Sequence, residues 1–213
     1  MILKGSFLNK VYLFCTLFFF AYGNVQALNE IDGTVSEYLS QDPLLPQDFD
    51  KAWGIATEPL VLGGAMLVTW GTATLLKDKT LSLAMETSLL SFVISMSITT
   101  GLKYGINRER PNGGDHSLPS GHATAAFSTA TVFSNFYEYE VGIPAFALAS
   151  FTVFTRLDQS EHYLTDVLLG AIIGTGIGLG TAHYYKKSKE KKTAFITPII
   201  SEEGLGLSYY QLF

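Results

Sequence analysis

The chain has 213 residues, which is enough for one domain of ordinary size. Only 15% of its residues are charged, whereas soluble domains are about one quarter charged, and its mean hydropathy is +0.25. The net charge of −5 excludes the basic face that duplex nucleic acid requires, so we expect no nucleic-acid partner. The single cysteine, Cys15, excludes an intrachain disulfide and a cysteine-based metal site.

Residues 1–27 have the pattern of an export signal. Lys4 and Lys10 precede and enter an apolar run, and Val25-Gln26-Ala27 offers small residues at a plausible cleavage point. An uncleaved first transmembrane helix is the alternative, and the sequence does not decide between them. Both interpretations carry the following segment across the membrane.

Residues 28–58 are polar and acidic, which predicts an extracytoplasmic segment ahead of the main domain. Their acidic side chains outnumber the one basic side chain, Lys51. Pro43 and Pro46 exclude a single long helix over this segment, because proline lacks the amide that an interior turn needs.

Residues 59–185 predict the functional domain, an all-α bundle of about five to six transmembrane helices. Its apolar stretches are residues 59–76, 81–102, 118–136, 141–154 and 163–185, with a turn expected at 137–140. No stretch carries a polar stripe, so each is expected to be buried all round, in lipid or in protein. Gly170, Gly174 and Gly178 recur at every fourth residue, a spacing that lets helix backbones approach closely in lipid.

Residues 186–213 form a basic segment followed by a predicted short β-hairpin. Lysines follow the last apolar stretch, and two runs of β-forming residues flank Ser201-Glu202-Glu203-Gly204. The positive-inside rule puts this segment in the cytoplasm together with Lys77 and Lys79. The loop over residues 103–117 and the turn over 156–162 then face the outside, which in a bacterial inner membrane is the periplasm.

Three clusters of reactive side chains lie at the outer ends of the apolar stretches. They are Lys103 to Pro111, Pro119-Ser120-Gly121-His122, and Arg156 to Asp166. Arginine presents a planar fork of donors that suits phosphate oxygens, and lysine presents a compact charge. His162 and Asp166 are four residues apart, so one ring nitrogen is positioned for orientation by the carboxylate while the other stays free to attack. The clusters therefore predict a phosphoryl-binding site with acid–base or nucleophilic chemistry.

The order Lys-x6-Arg-Pro, Pro-Ser-Gly-His and Arg-x5-His-x3-Asp resembles the type 2 phosphatidic acid phosphatase and vanadium haloperoxidase superfamily. The resemblance implies that His162 is the nucleophile, that Asp166 orients it, and that His122 is the general acid. It implies that the phosphoryl oxygens are bound by Lys103, Arg110, Ser120, Gly121 and Arg156. It also implies a phosphatase without metal or other cofactor and without a required protein partner.

Two departures and two neighbours qualify the resemblance. Thr155 stands where the family usually has serine, which preserves a hydroxyl. The spacer over residues 112–118 is short, which leaves the substrate class open. Arg108 is interpreted as a contact to lipid headgroups, and His116 and Glu161 as surface loop residues.

The leading hypothesis is a membrane enzyme that hydrolyses a lipid phosphate or pyrophosphate through a phosphohistidine. Undecaprenyl diphosphate, phosphatidate, phosphatidylglycerol phosphate and lipid A are candidate substrates. The alternative is a soluble periplasmic acid phosphatase of the same superfamily that acts on small phosphomonoesters. A vanadate-dependent haloperoxidase is disfavoured because those chains are longer, and a non-catalytic anion-binding protein is disfavoured because both histidines and the aspartate are present.

Overall fold

The computed structural model describes the backbone of residues 25–190, 194–201 and 204–211, and the side chains of residues 29–186. Over these residues the chain forms six helices, α1 to α6, which are Val25–Gln41, Gln47–Ala56, Pro59–Leu75, Lys79–Ile106, Gly121–Asp158 and Leu164–Glu190. The predicted all-α bundle is confirmed with six helices, but only three of these described helices are by themselves candidates to cross a membrane, fewer than the five to six transmembrane helices predicted. The predicted signal or first transmembrane helix falls on residues 1–27 and lies almost entirely outside the described residues.

Helix α5 reverses direction at Glu138, whose φ of 53° and ψ of −145° are not helical. The reversal is clear from the contact between Arg156 near the end of α5 and His122 near its start, whose side-chain nitrogens lie 3.2 Å apart. Helix α5 is therefore two antiparallel arms, residues 121–137 and 139–158, joined at the turn that the sequence predicted. Both ends of α5 consequently lie at the same end of the bundle.

The interior of the bundle is built from small and hydroxyl side chains. Ser91 Oγ and Ser128 Oγ share a hydrogen bond of 2.8 Å, and Thr99 Oγ1 donates to Thr124 Oγ1 at 3.1 Å, so α4 and α5 are joined by buried polar contacts. Large apolar side chains lie instead on the outer surface, among them Leu67, Val68, Leu75, Ile172 and Leu179. Small residues inside and large apolar residues outside are the arrangement expected of helices that pack in lipid.

The predicted glycine ridge forms the contact between α5 and α6. A Cβ on Gly174 would lie 2.3 Å from the carbonyl oxygen of Thr124, and a Cβ on Gly170 or Gly178 would also meet α5 atoms at under 3 Å. By contrast, a Cβ on Gly176 would meet nothing within 4 Å. The glycines spaced four apart are therefore the positions that let the two backbones touch.

The acidic segment over residues 28–58 packs directly on the end of the bundle. Its prolines interrupt the helix as expected, since Pro46 is the residue before α2. The Asp158 carboxylate at the end of α5 accepts hydrogen bonds from the backbone amides of Leu44 and Leu45, at 2.9 and 3.0 Å. Helices α1 and α2 are thus held against the same end of the bundle to which both ends of α5 return.

Three of the described helices are long and apolar enough to cross a membrane: α4, α5, and the Leu164–Lys186 part of α6. Helices α2 and α3 meet at a bend of 51° and satisfy the same criteria when they are taken together as one broken span. Length and composition therefore give three candidate helices among the described residues, or four with the bent pair. Because α5 folds back at Glu138, both of its ends lie at the same end of the bundle, and it is not a single crossing.

Beyond the helices, the backbone pairs as two antiparallel strands, β1 (Ala194–Ser201) and β2 (Gly204–Gln211), with Ala194 opposite Gln211. The side chains of these strands lie outside the described residues. The part of the fold whose side chains are described is entirely helical, so the predicted hairpin contributes nothing to the account of the site.

We predict that Gly174→Ala lowers the free energy of unfolding by about 1–3 kcal/mol, because the new methyl group would clash with the α5 backbone. Gly176→Ala is the matched control, and it should leave stability unchanged or raise it by up to about 1 kcal/mol through helix propensity. The measurement is the midpoint of thermal unfolding of each purified variant in the same detergent. Equal midpoints for the two variants would mean that the ridge is not the packing surface.

Candidate active site

The three motif clusters meet at one end of the bundle. Helix α4 ends at Asn107, whose φ of 48° is left-handed, and the loop that follows leads to Ser120, the residue before α5. The returning arm of α5 brings Arg156 to the same place, and His162 lies in the turn between α5 and α6. The convergence therefore follows from helix ends, as the positions of the motifs predicted.

A cavity of about 560 Å³ opens where the clusters meet. It is lined by Glu58, Pro59, Leu60, Phe92, Met96, Thr100, Lys103, Arg110, Gly121, His122, Arg156, Glu161 and His162. Six of the eight predicted site residues are in this lining, and the other two, Ser120 and Asp166, are buried behind it. The lining combines cationic side chains, two histidines and two glutamates with apolar side chains of α3 and α4.

His162 is 4% exposed, and its Nδ1 faces the carboxylate of Asp166. The distance from Nδ1 to Asp166 Oδ2 is 3.8 Å, which is close enough for an ion pair but too long for a hydrogen bond. Ser117 Oγ lies beside them, 3.4 Å from Nδ1, and donates to Asp166 Oδ2. The histidine and the aspartate thus face each other as predicted, in a looser form, with a serine hydroxyl in contact with both.

Burial lowers the pKa of His162 below the ordinary value of 6.5, because a charged imidazolium loses its hydration there. The nearby cations of Lys103 and Arg110 lower this pKa further, while Asp166 raises it. The net direction is downward, so the ring stays neutral, and able to act as a nucleophile, to a lower pH than a free histidine would.

His122 faces the same cavity from the start of α5. Its Nε2 lies 3.2 Å from Arg156 Nη1, 3.2 Å from Glu58 Oε2 and 3.3 Å from the carbonyl oxygen of Gly54. The guanidinium favours an unprotonated Nε2, whereas the carboxylate and the carbonyl favour a protonated one. This nitrogen therefore has two oxygen acceptors and one cation within reach.

The basic side chains are held in place by carbonyl and carboxylate oxygens. Lys103 Nζ donates to the His116 carbonyl oxygen at 2.6 Å, and Arg110 Nε donates to the Asp115 carbonyl oxygen at 3.0 Å. Arg110 also forms an ion pair with the Glu161 carboxylate. These side chains are pre-positioned, and their remaining donors can serve an oxyanion in the cavity.

Arg156 is 6% exposed, and its guanidinium packs against the backbone of Gly54, where a Cβ would lie 3.0 Å from Nη1. Glycine at this position lets α2 pass over the arginine, so the acidic segment helps to enclose the site.

Ser120 is not among the cavity-lining residues, although the sequence predicted that it binds phosphate. Its Oγ accepts from the Ala123 amide at 3.4 Å, and its own amide donates to the Asp166 carbonyl oxygen at 3.0 Å. A serine that satisfies the first turn of α5 in this way supports the site from behind, and Gly121 is the residue of this motif that reaches the cavity.

The interpretation of Arg108 as a headgroup contact is wrong for this structure. Its guanidinium donates to Asp166 Oδ1 and to Asp32 Oδ2, both at 2.7 Å. Glu161, taken as a surface loop residue, lines the cavity as the partner of Arg110. No local pattern in the sequence pointed to Asp32, because this residue comes from a distant segment.

Among the described residues, no group of three or more histidine, cysteine, aspartate or glutamate side chains has the arrangement of a metal site. The donor set around the cavity is instead mainly cationic. A helical bundle with cationic side chains beside two histidines is suited to binding an oxyanion next to a nucleophile or a proton donor. These features define the class of protein.

Comparison with known proteins gives the family that the site region resembles. Residues 87–190 match the sequence profile of the PAP2 superfamily, and these residues contain all three motifs. This similarity is the one that the motifs predicted.

Two curated relatives are similar in sequence. A lipid A 1-phosphatase of Porphyromonas gingivalis is 32% identical over 133 residues, which is 53% of this chain and 30% of the relative. A lipid A 4'-phosphatase of Helicobacter pylori is 31% identical over 93 residues, which is 44% of this chain and 45% of the relative. The chain thus matches less than half the length of either relative.

Two solved structures share the fold at 20% sequence identity. Aquifex aeolicus LpxE aligns with a TM-score of 0.54 over 73% of this chain and 94% of that one. A transmembrane PAP2-type phosphatidylglycerolphosphate phosphatase from Bacillus subtilis aligns with a TM-score of 0.58 over 83% of this chain and 96% of that one. These similarities show a shared fold, and the apolar helices support a membrane protein.

We predict that the acidic limb of the pH profile of kcat/KM has its midpoint below 6.5, because burial favours the neutral form of His162. The profile should be measured with two phosphate esters whose own pKa values differ, since a limb due to the enzyme stays in place when the substrate changes. A limb at or above 6.5 with both esters would contradict this assignment.

Proposed function

We propose that this chain is a membrane phosphatase that hydrolyses a lipid phosphate or pyrophosphate through a covalent phosphohistidine on His162. The observation that carries the proposal is the mixed lining of the cavity. Lys103, Arg110 and Arg156 supply positive charge, and Leu60, Phe92 and Met96 supply apolar surface. A phosphate joined to a lipid would be matched by both kinds of side chain.

The phosphoryl group would occupy the basic side of the cavity. Arg110 and Arg156 are suited to grip separate equatorial oxygens with their planar forks, and Lys103 adds a compact charge. The first amides of α5, beginning at Gly121, point along the helix axis and add positive potential for an anion. Glu161 would have to release Arg110 when the phosphate binds, because both anions need the same guanidinium.

Attack would come from Nε2 of His162, because Nδ1 faces Ser117 and Asp166. The Nε2 lone pair forms a bond to phosphorus while the bond from phosphorus to the leaving oxygen breaks, and that bond's electrons stay on the oxygen. His122 donates a proton to this oxygen. Asp166 stabilises the positive charge that develops on the ring of His162.

Water would then complete the turnover. His122, now neutral, accepts a proton from a water molecule as the water oxygen bonds to phosphorus and the phosphorus–nitrogen bond breaks. The products are inorganic phosphate and the dephosphorylated lipid, and both histidines return to their starting protonation states. One water molecule is consumed in each cycle.

Lipid A is the first substrate to test among the candidates that the sequence left open. The two curated relatives are named for the 1-phosphate and the 4'-phosphate of lipid A, which supports a phosphorylated glycolipid as the substrate class. Three other lipids complete the panel of test substrates, because each also carries a phosphate group on an apolar chain: undecaprenyl diphosphate, phosphatidate and phosphatidylglycerol phosphate.

The charge distribution supports an active site that faces the periplasm. Lys77 precedes α4 and Lys79 is its first residue, so both lie at the end of the bundle opposite the cavity, and Lys186 is the last residue of the last candidate span. Tyr185 Oη donates to Glu86 near the start of α4, so the basic end of α6 lies beside that same end. By the positive-inside rule this end is cytoplasmic. The spans favour this integral enzyme over the soluble periplasmic alternative.

We predict that His162→Ala loses about a thousandfold or more in kcat, because the covalent route is removed. His183→Ala is the matched control, since His183 is exposed near the opposite end of the bundle, and it should keep wild-type activity. The assay is phosphate release from lipid A and the other lipids of the panel in detergent. Inactivity of the wild type on every lipid, with turnover of small phosphomonoesters, would favour the soluble-substrate alternative.

The covalent intermediate has its own test. We predict that wild type quenched during turnover of a 32P-labelled substrate carries an acid-labile, base-stable label on His162, as expected of phosphohistidine. The label should be absent from His162→Ala. A label found on serine or aspartate would contradict the assignment of the nucleophile.

We also predict that vanadate inhibits at a concentration about a hundredfold or more below that of phosphate, because a catalytic site favours the trigonal-bipyramidal shape of the transition state. Turnover should be the same in the presence and absence of EDTA. Loss of activity in EDTA that added magnesium or zinc restores would contradict a mechanism based on histidine alone.

A further inference from the structure

Asp32 is a buried carboxylate that helix α1 contributes to the site from outside the family region. It lies more than fifty residues before the family match begins at residue 87 and is 1% exposed. Its Oδ1 accepts from the backbone amide of Thr165 at 2.9 Å, and its Oδ2 accepts from Arg108 Nη2 at 2.7 Å. Oδ2 also accepts from the Thr165 hydroxyl. A buried carboxylate with so many donors is held in a fixed position.

Arg108 connects Asp32 to the histidine side of the site. Nη2 of its guanidinium is bound to Asp32, and Nη1 donates to Asp166 Oδ1 at 2.7 Å. The same guanidinium lies over the Tyr163 ring, with its central carbon 4.2 Å from the ring centroid, and Tyr163 is the neighbour of His162. The carbonyl oxygen of Arg108 accepts from the Ser117 amide at 2.7 Å, which fixes the base of the side chain.

We propose that Asp32 is a positioning residue for His162, acting through Arg108 and Asp166. Asp32 fixes the arginine fork so that it binds one oxygen of Asp166 and leaves the other oxygen facing the histidine. The proposal rests on the proposed function for its kinetic readout, and its structural readout is independent of turnover.

The charge balance gives the physical reason. One guanidinium lies between two carboxylates, so the group of three has a net charge of about −1. With Asp32 present, the positive charge of Arg108 is divided between the two carboxylates. Asp166 then keeps enough negative charge to stabilise a cation on His162. Without the Asp32 charge, Arg108 would neutralise Asp166 alone, and the histidine would lose most of this stabilisation.

Several other charged groups face His162 and stay unchanged in the test. Lys103 on α4, Arg110 in the loop, His122 and Arg156 on α5, and Glu161 in the turn share the cavity with it. The substitutions of Asp32 and Arg108 described below therefore alter only the group of Asp32, Arg108 and Asp166.

The test compares Asp32→Asn with the double variant Asp32→Asn/Arg108→Gln and with Glu30→Gln. Glu30 is an exposed acidic residue on the same helix, so Glu30→Gln makes the same change of charge away from the site. The readout is the pKa of His162, measured by NMR titration of protein labelled with 13C in the histidine rings, with His162→Ala to assign the signal.

The two substitutions should shift the pKa of His162 in opposite directions. Asp32→Asn should lower this pKa relative to wild type, because Arg108 then cancels the Asp166 charge. Adding Arg108→Gln should raise the pKa above its value in Asp32→Asn, because the opposing cation is also gone, and Glu30→Gln should match wild type. The double variant leaves no buried arginine with a lost partner, so it reports even where Asp32→Asn folds poorly. A His162 pKa that is the same in the double variant as in wild type and Asp32→Asn would overturn the proposal.

Kinetic measurements distinguish a role of Asp32 in positioning His162 from a role in stabilising α1 alone. Asp32→Asn should lower kcat by about 10-fold to 100-fold, the range seen when outer partners of an oriented histidine are removed from metal sites. Its KM should stay within about twofold of wild type, because no phosphate-binding side chain changes. A loss of folded protein with unchanged kcat per folded molecule would show that Asp32 only braces α1. Failure of the wild type to hydrolyse any substrate would count against the proposed function and leave the NMR result to decide the role of Asp32.

Discussion

The close approach of α6 to α5 is the constraint on which the site depends. Because glycines form the contact face of α6, its backbone touches that of α5, and the Ser120 amide at the start of α5 donates to the Asp166 carbonyl oxygen. Two helix starts are thereby fixed side by side, one carrying His122 and the other carrying Asp166 just after His162. A bulkier residue on this face would separate the two histidines whatever the rest of the sequence specified.

The polar end of this bundle shows how charge is held in an apolar protein. Asp32 and Asp166 would be costly to bury alone, and each accepts several hydrogen bonds. Arg108 lies between Asp32 and Asp166, and Arg110 pairs with Glu161. Both members of the second pair are partly exposed, so this pair can open, whereas both carboxylates of the first group are buried. The structure thus separates a fixed scaffold from the part of the site that exchanges partners with a substrate.

The acidic segment ahead of the family region takes part in the site. Helix α1 supplies Asp32, and helix α2 supplies the backbone of Gly54 against which Arg156 and His122 rest. The region over residues 87–190 that resembles the PAP2 superfamily therefore has two of its basic groups positioned by chain that precedes it.

The sequence by itself determined the helical class, the family resemblance, the glycine ridge and most of the cavity lining, because those features depend on local hydropathy, residue spacing and short motifs. Only the tertiary structure decided the roles of Asp32, Arg108 and Ser117, because their partners are distant in the chain and nothing in local spacing records them. It also moved Ser120 behind the cavity, since its hydroxyl caps α5. A motif fixes which groups are available, and the packing of helix ends fixes which of their atoms face the substrate.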